Sequence, residues 1–338
     1  MPDGADGVFI TGATGLLGSH VAERLRAEGR PVRALCRATS RKDHLRRIGA
    51  LPVEGDVRDG EAELARAIGA SPVVVHAAAA VYRDWPWPRL RALNVEGAQR
   101  VARAAVRAGA RHFVHLSSVA VYGPADGPLD ESSPLDAPLR PGDLYARSKR
   151  EAEEATLAVG RQRALPITVL RPSVVYGERD RLFTPALGRV LRWPLSPVPG
   201  GGTAFLPVVY AGNVADCVGR LLEARTPDPK VAEVYNLASD DPLSTRALLE
   251  GLAQGMARRR PRFLPMPLGL ATGLARAGEV LYGLAPGKGS GPPLRRAVRL
   301  ASEGNPYRSE RVRHTLGWEP PFSADEALTH TGRWLAGN

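Results

Sequence analysis

The sequence predicts an α/β protein: a doubly wound parallel sheet with a smaller, discontinuous C-terminal part. Short apolar runs such as Val8–Ile10 and Val73–Val75 have the length and composition of buried strands. Longer helix-forming stretches separate these runs, as connections between parallel strands require. The chain has 338 residues, 43% of them hydrophobic. That length allows one large core and a second domain.

A glycine-rich turn follows the first predicted strand. Its glycines are spaced G-x-x-G-x-x-G, and a helical pattern begins at Ser19. Strand, glycine turn and helix form the first half of a Rossmann-type dinucleotide-binding unit, in which the helix N-terminus faces the pyrophosphate. The alternative is a glycine turn of any α/β protein. The cofactor contacts predicted here are Gly12, Thr14, Gly15, Leu16, Leu17 and Gly18.

The end of the second predicted strand indicates which cofactor is preferred. An NAD-binding unit normally has an acidic residue there, which bonds the ribose hydroxyls. Here the strand ends at Cys36, and Arg37 follows. A ribose 2′-phosphate repels a carboxylate and pairs with a guanidinium. We therefore predict NADP(H) as the preferred cofactor and NAD(H) as the alternative. The competing interpretation of Arg37 is a solvated loop arginine.

Two further strand ends supply predicted cofactor contacts. An acidic side chain after the third strand could accept the adenine amino group or fix a turn. Small side chains after the fourth strand would let a cofactor lie against the backbone. His76 lies inside the fourth apolar run and is interpreted as a structural histidine. The residues assigned to the cofactor here are Asp56, Val57, Ala77, Ala78 and Ala79.

Tyr145 and Lys149 are the predicted catalytic pair. Their i,i+4 spacing places them on one face of a helix. An ammonium stabilises tyrosinate and lowers the phenol pKa from about 10 towards working pH. The phenol can then exchange a proton with a carbonyl or alcohol oxygen. Ser118, at the end of the fifth predicted strand, could hold the same oxygen. By itself such a pair also occurs by chance on exposed helices.

Together these motifs resemble the extended short-chain dehydrogenase/reductase superfamily, of the NAD-dependent epimerase/dehydratase type. The resemblance extends over essentially the whole chain. It implies a seven-stranded, mostly parallel sheet in a cofactor domain of residues 1–180 and 207–239. A substrate-binding part would comprise 181–206 and 240–338. The matching stretches are Thr11–Gly18, Ser118, Tyr145 with Lys149, Arg171–Gly177, Val209–Asp216, Val234–Leu237 and Leu316–Pro320.

The resemblance also implies roles for individual residues. Ser118 would bind the substrate oxygen, Tyr145 would act as acid and base, and Lys149 would lower the tyrosine pKa and bind the ribose. Asn94 matches the position that keeps the lysine hydrated and placed, although its own context predicts a helix N-cap. The segment resembling the sixth strand adds the cofactor contacts Pro172 and Val174.

The predicted substrate is apolar. Val174 stands where nucleotide-sugar enzymes of this superfamily commonly carry asparagine, and Asn213 lies in a pattern resembling 3β-hydroxysteroid dehydrogenases and dihydroflavonol reductases. We therefore expect interconversion of a ketone and a secondary alcohol on a steroid-like, flavonoid-like or polyketide-like molecule. The alternatives are a nucleotide-sugar epimerase or dehydratase that retains its cofactor, and a non-catalytic NADP-binding sensor or scaffold. The apolar segment 263–284 could roof a pocket, form a core helix or lie on a membrane.

Composition limits the other partners. The net charge is +11, but the arginines are scattered and form no aromatic-interleaved stripe, so no nucleic-acid partner is expected. No apolar run approaches the roughly 18–20 residues of a membrane span, which leaves only peripheral membrane contact open. Cys36 and Cys217 form no C-x-x-C pair, and we expect a cytoplasmic protein without a metal. Members of the superfamily commonly form dimers, so the resemblance implies a homodimer.

Overall fold

The computed structural model describes residues 7–81, 85–224, 226–238, 241–283 and 294–337. Backbone contacts divide the chain into two units. The first comprises Met1–Ser173, Ala211–Leu237 and Tyr307–Pro321, and the second comprises Val174–Tyr210, Ala238–Pro306 and Phe322–Asn338. The division of the chain into a cofactor part and a substrate part stays a prediction.

Strands and helices alternate through the first unit, whereas the second unit is mainly helical. The strands of the described residues are β1 (Val8–Thr11), β2 (Val32–Cys36), β3 (Leu51–Glu54), β4 (Val73–His76), β5 (His112–Leu116), β6 (Ile167–Pro172), β7 (Val174–Tyr176), β8 (Ser196–Pro199), β9 (Val208–Tyr210), β10 (Glu233–Leu237) and β11 (Phe263–Met266). Their α-helices are α1 (Leu16–Ala27), α2 (Asp43–Arg47), α3 (Glu61–Ile68), α4 (Trp87–Arg107), α5 (Leu144–Arg163), α6 (Phe183–Val190), α7 (Ala211–Glu223), α8 (Thr245–Gly255), α9 (Leu268–Gly283), α10 (Leu294–Leu300), α11 (Glu310–Leu316) and α12 (Ala324–Ala336).

Seven strands of the first unit form one sheet in the order β10-β6-β5-β4-β1-β2-β3. Every pair in it is parallel, and Val8 of β1 lies opposite Val32 on one side and Val73 on the other. The predicted fold class is therefore confirmed. The order reverses direction between β1 and β4, and in such sheets ligands bind beyond the carboxyl ends of the strands at that point.

Helices on the sheet bury its central strands. All residues of β1 and β5 are buried, as expected where helices cover both faces of a parallel sheet. Phe9 and Phe113 are fully buried in the core cluster, together with Ile68 of α3 and Val101 of α4. The helix pairs α3–α4, α4–α5 and α1–α7 pack against each other. Apolar stretches that lie far apart in the sequence thus pack together in this cluster.

The sequence-based assignment of Asn94 to a helix start is wrong. Helix α4 begins at Trp87, two turns earlier, and Asn94 is a buried residue of its interior. Pro86 is the N-cap and Pro88 lies in the first turn. Proline suits that position because its missing N–H group would have had no helical partner there. Asparagine in the interior of a helix calls for a specific hydrogen-bonding role.

The second unit has its own core. Strands β7 and β9 form one two-stranded sheet and β8 and β11 another. Helices α8 and α12 approach so closely that a Cβ atom on Gly332 would lie 2.6 Å from the carbonyl oxygen of Leu252. Leu248 and Leu328 are buried beside this contact. In the described part of the chain, no helix is both long enough and apolar enough to cross a bilayer.

Candidate active site

The glycine turn after β1 brings three backbone segments into contact. Gly12 has a φ of +72°, and a Cβ atom there would lie 2.6 Å from the amide nitrogen of Ala78. A Cβ atom on Gly18 would lie 2.3 Å from the carbonyl oxygen of Gly12. Side chains at these two positions would therefore fill the space between the turn, β4 and α1.

The first turn of α1 is open to an anionic ligand. Gly15 caps the helix without a side-chain hydrogen bond, and the turn that starts at Leu16 has no acidic residue. The N–H groups at a helix N-terminus are ready donors for phosphate. The glycine cradle and this helix end, which has no side-chain cap, fit the pyrophosphate of a dinucleotide.

Thr11 and His76 fix the exit of β4 beside this turn. Thr11 Oγ1 and His76 Nδ1 share a hydrogen bond of 2.8 Å, and the same hydroxyl oxygen accepts from the amide of Ala78 at 3.3 Å. The Ala77 amide donates to the Thr11 carbonyl oxygen at 3.1 Å. Burial, together with the charge of Lys149, lowers the pKa of His76 to about 3. His76 is therefore neutral and structural, and it positions the predicted Ala77–Ala79 segment.

Asn94 connects this segment to the helix that carries Tyr145 and Lys149. Its Oδ1 accepts from the amide of Ala80 at 2.7 Å, and its Nδ2 donates to the Ala80 carbonyl oxygen at 3.0 Å. Nδ2 also donates to Ser148 Oγ at 2.9 Å, and that hydroxyl donates to the Tyr145 carbonyl oxygen at 2.8 Å. Asn94 thus positions α5 relative to the exit of β4. Sequence reasoning missed Ser148, the residue that completes this link.

The pKa of Lys149 is shifted by its surroundings. Its side chain is buried, and Nζ donates to the carbonyl oxygen of Leu116 at 2.7 Å. Burial lowers the pKa of Lys149 to about 8, against the opposing effect of Glu153. Tyr145, one turn earlier on α5, is half-buried. An amine held in this way is a buried positive charge at neutral pH, close to the carboxyl end of β5.

Ser118 lies just beyond that strand end. Its Oγ accepts from the amide of Ala120 at 3.2 Å and caps a short 3₁₀ helix, Val119–Tyr122. Helix α5 packs against this 3₁₀ helix. The structure therefore brings the Ser118 segment and the helix of Tyr145 and Lys149 together, close to the carboxyl end of β5.

A buried polar network lies behind the predicted catalytic pair. Glu153, one turn after Lys149, accepts from Ser117 Oγ at 2.7 Å and forms an ion pair with Arg171 of β6. Arg171 donates to Tyr122 Oη at 2.7 Å, and Tyr122 donates to Asn236 Oδ1 at 2.9 Å. Sequence reasoning missed this network. The one feature of the sequence that could have indicated the network is Arg171, a charged residue directly after the apolar residues of β6.

A second arginine, Arg58, follows β3, the strand next to β2 in the sheet. Arg37 is exposed directly after β2. Arg58 donates from Nε to Asp56 Oδ1 and from a terminal nitrogen to Asp56 Oδ2, both at 2.9 Å. These bonds lower the pKa of Asp56, and the charge of Arg37 adds to the effect. The Asp56 carboxylate is therefore already engaged, and Arg58 is a cation that sequence reasoning missed.

The remaining predicted cofactor residues lie in different surroundings. Val57 is buried in the core cluster, where Gly97 leaves room for its side chain. Pro172 ends β6 in the first unit. Val174 belongs to the second unit, where its amide donates to the Pro207 carbonyl oxygen at 2.9 Å and its side chain packs against the apolar cluster. Among the described residues, no group of three or more His, Cys, Asp or Glu side chains could hold a metal ion.

Comparison with known proteins decides the family. The model of the NAD dependent epimerase/dehydratase family matches residues 8–238, which include the glycine turn, Tyr145 and Lys149. The chain belongs to this family. The resemblance inferred from the motifs is thereby confirmed, as is the prediction of an NAD(P)-dependent enzyme of the extended short-chain dehydrogenase/reductase type.

Proteins similar to this chain differ in the activities that their names describe. The 4-hydroxy-2-methyl-3-oxo-4-farnesyl-3,4-dihydroquinoline-1-oxide ketoreductase of Stigmatella aurantiaca is 32% identical, over 95% of this chain and 94% of its own. The N-acetyl-alpha-D-glucosaminyl-diphospho-ditrans,octacis-undecaprenol 4-epimerase of Escherichia coli O157:H7 is 30% identical, over 96% and 94%. Among solved structures, MoeE5 in complex with UDP-glucuronic acid and NAD matches with a TM-score of 0.72. Its sequence is 25% identical, and the match covers 97% of this chain and 98% of the MoeE5 chain.

Proposed function

We propose that the protein interconverts a ketone and a secondary alcohol on a largely apolar substrate, with Tyr145 as the acid and base. The observation that carries this proposal is the buried ammonium of Lys149. This residue lies on the same helix as Tyr145, and its Nζ donates to the carbonyl oxygen of Leu116. A positive charge fixed there favours the phenolate form of the tyrosine. The phenol can then donate its proton readily to a carbonyl oxygen that becomes an alkoxide.

The chain's own groups hold and protonate the reacting oxygen. The Ser118 hydroxyl, at the end of β5, would orient the carbonyl, and Tyr145 would protonate it. In the reverse direction Tyr145 would take the proton from the alcohol. A nicotinamide cofactor supplies or accepts the hydride in this chemistry. The cradle of Gly12, Gly15 and Gly18 and the start of α1 would hold the cofactor's pyrophosphate, and Lys149 would bind its ribose.

NADP(H) is the cofactor that the residues after β2 favour. The strand ends at the buried Cys36 rather than at an acid, and Arg37 follows it. Asp56, the acid after β3, is neutralised by Arg58. A dianionic 2′-phosphate at the end of β2 would pair with the exposed guanidinium of Arg37. NAD(H), the cofactor in the MoeE5 complex, is the alternative.

An apolar substrate is supported by the chain and by its relatives. Val174 contributes an apolar side chain where sugar-nucleotide enzymes of the superfamily commonly carry asparagine. The name of the Stigmatella relative describes reduction of a ketone on a farnesylated ring. A second candidate is epimerisation of a sugar, which the name of the Escherichia coli relative favours. Both names contain an isoprenoid chain, so a prenylated ring ketone is the first substrate to test.

Cofactor stoichiometry separates these functions. The protein would be incubated with NADPH and a panel of steroid and prenylated ring ketones, and in parallel with UDP-sugars and a polyprenyl-diphospho sugar. Tyr145→Phe is the matched control. Loss of one NADPH per alcohol formed, absent in the control, would support ketone reduction. Conversion of a sugar without net cofactor loss would favour the epimerase, and tight cofactor binding without turnover of any substrate would favour a sensor.

A further inference from the structure

Helix α9 exposes its apolar side. Leu270, Leu274, Ala277 and Leu281 recur every three or four residues, so they form one stripe along the helix. The leucines are 56%, 55% and 68% exposed, in chain order. A surface helix of a globular protein normally turns such a stripe towards the core. Contiguous exposed apolar surface of this kind marks an interaction site.

The buried side of α9 consists of smaller residues. Ala271 and Ala275 are buried, one turn apart, while the leucines of the stripe face outward. Helix α10 packs against α9, and Leu294 lies where a Cβ atom on Gly278 would meet it. The contacts that hold α9 in the second unit therefore use alanine and glycine and leave its large apolar side chains exposed. Residues 284–293, which include the end of the apolar segment 263–284, lie outside the described residues.

Positive charge accompanies the stripe. Residues 256–303 contain nine Lys and Arg residues and two acidic ones. Arg258, Arg259, Arg260 and Arg262 are exposed just before β11, and α9 starts directly after that strand. One of the two acids, Glu279, bonds Arg295 of α10. The segment of the chain that contains the stripe is thus strongly basic.

We propose that the leucine stripe of α9 and the arginines before β11 form a docking surface for an anionic membrane. An interfacial helix combines an exposed apolar face, which enters the headgroup region, with cations that attract anionic lipids. Both features occur here within one segment. A second copy of the chain is a poorer occupant because it would bring two basic surfaces together. The inference holds whichever substrate the active site takes.

Vesicle flotation tests the proposal. The full-length protein would be mixed with vesicles of phosphatidylcholine alone, or of equal parts phosphatidylcholine and phosphatidylglycerol. We expect flotation with the anionic vesicles only, and its loss at high salt because screening weakens the attraction. Absence of flotation with anionic vesicles would overturn the proposal. So would equal flotation with both kinds of vesicle.

Paired substitutions locate the surface. Leu274→Gln with Leu281→Gln, and separately Arg259→Gln with Arg260→Gln, should each weaken vesicle binding by about tenfold or more. Leu51→Gln with Val231→Gln, and Arg161→Gln with Arg163→Gln, change exposed residues elsewhere and should bind as the wild type does. Equal losses in the test and control pairs would contradict the proposed location.

Two further readouts keep the result interpretable. Thermal unfolding of each variant should match the wild type, because every substituted side chain is exposed; a failure of the α9 pair to fold would contradict the exposed position on which the proposal rests. Size-exclusion chromatography would show whether the stripe serves instead as a contact between protein chains. A wild-type oligomer that dissociates in the α9 variants, with no vesicle binding, would assign the stripe to a protein partner and overturn the membrane proposal.

Discussion

Glu153 and Arg171 form a buried ion pair one helical turn beyond Lys149, and this pair ties the helix of the predicted catalytic residues to β6. Both side chains have further hydrogen bonds, to Ser117 and Tyr122 respectively. A buried pair loses its hydration, so its stability depends on such additional bonds. Removal of one partner leaves an uncompensated charge in the core.

We therefore expect Glu153→Ala to lower the free energy of unfolding by about 3–5 kcal/mol, the usual cost of breaking a buried pair. Denaturant titration measures the loss. Glu154→Ala, which changes the exposed neighbour on the same helix, should alter stability by no more than about 0.5 kcal/mol. A similar stability for both variants would show that the ion pair contributes little.

The sequence predicts the parts of the site that depend on local geometry. The glycine turn is recognisable because its glycines stand at fixed spacing between an apolar run and a helix. The network of Glu153, Arg171, Tyr122 and Asn236 is not, because its members are up to 114 positions apart in the chain. The sequence also does not predict that the leucines of α9 face outward. Their periodicity fits a core helix equally well, and only the packing of the whole unit decides which side is buried.

Asn94 shows how local preference and tertiary structure compete. Asparagine favours N-caps because its side chain can bond to free backbone amides. Here the same chemistry is used in the interior of α4, where Asn94 bonds the backbone of Ala80 and the hydroxyl of Ser148. Both partners lie on other elements. One sequence cannot reveal them.

Buried histidines should make the protein sensitive to acid. Burial lowers the pKa of His112 to about 4, below the ordinary 6.5, and His112 shares a 2.9 Å hydrogen bond with Thr168 Oγ1. Between these pH values the unfolded chain binds a proton that the folded chain does not. Stability is therefore lost as pH falls from about 6.5 to about 4.

His112→Gln should make this loss smaller by about 3 kcal/mol, the value of the pKa difference. Glutamine keeps a group that can bond Thr168 and does not titrate. The measurement is denaturant titration across the same pH range. His314→Gln, at an exposed position, is the control and should reproduce the wild-type pH dependence. An unchanged slope in His112→Gln would contradict the assignment.

Arg37→Ala tests the cofactor preference. Loss of a charge-assisted contact to the 2′-phosphate should weaken NADPH binding by about 1–3 kcal/mol and leave NADH binding nearly unchanged. Calorimetric titration of both cofactors measures the two effects. Arg41→Ala, at an exposed position farther along the same loop, should change neither affinity strongly. Equal weakening of NADPH and NADH by Arg37→Ala would refute a specific contact with the 2′-phosphate.

Tyr145→Phe and Lys149→Met separate the two roles proposed for the catalytic helix. The phenylalanine variant lacks only the hydroxyl, so turnover should fall by about 10²–10⁴ while cofactor binding is kept. The methionine variant lacks the charge that favours phenolate and the proposed ribose contact, so turnover and cofactor affinity should both fall.

Turnover assays and cofactor titration would be run on both variants, with Arg147→Met, at an exposed position of the same helix, as the control. Because Met also removes the bond from Lys149 to the Leu116 carbonyl oxygen, thermal unfolding must show that Lys149→Met remains folded at the assay temperature. If Tyr145→Phe retained near-normal turnover on the true substrate, the proton would come from another group. If Lys149→Met lost turnover but bound cofactor as tightly as the wild type, the lysine would act on Tyr145 alone.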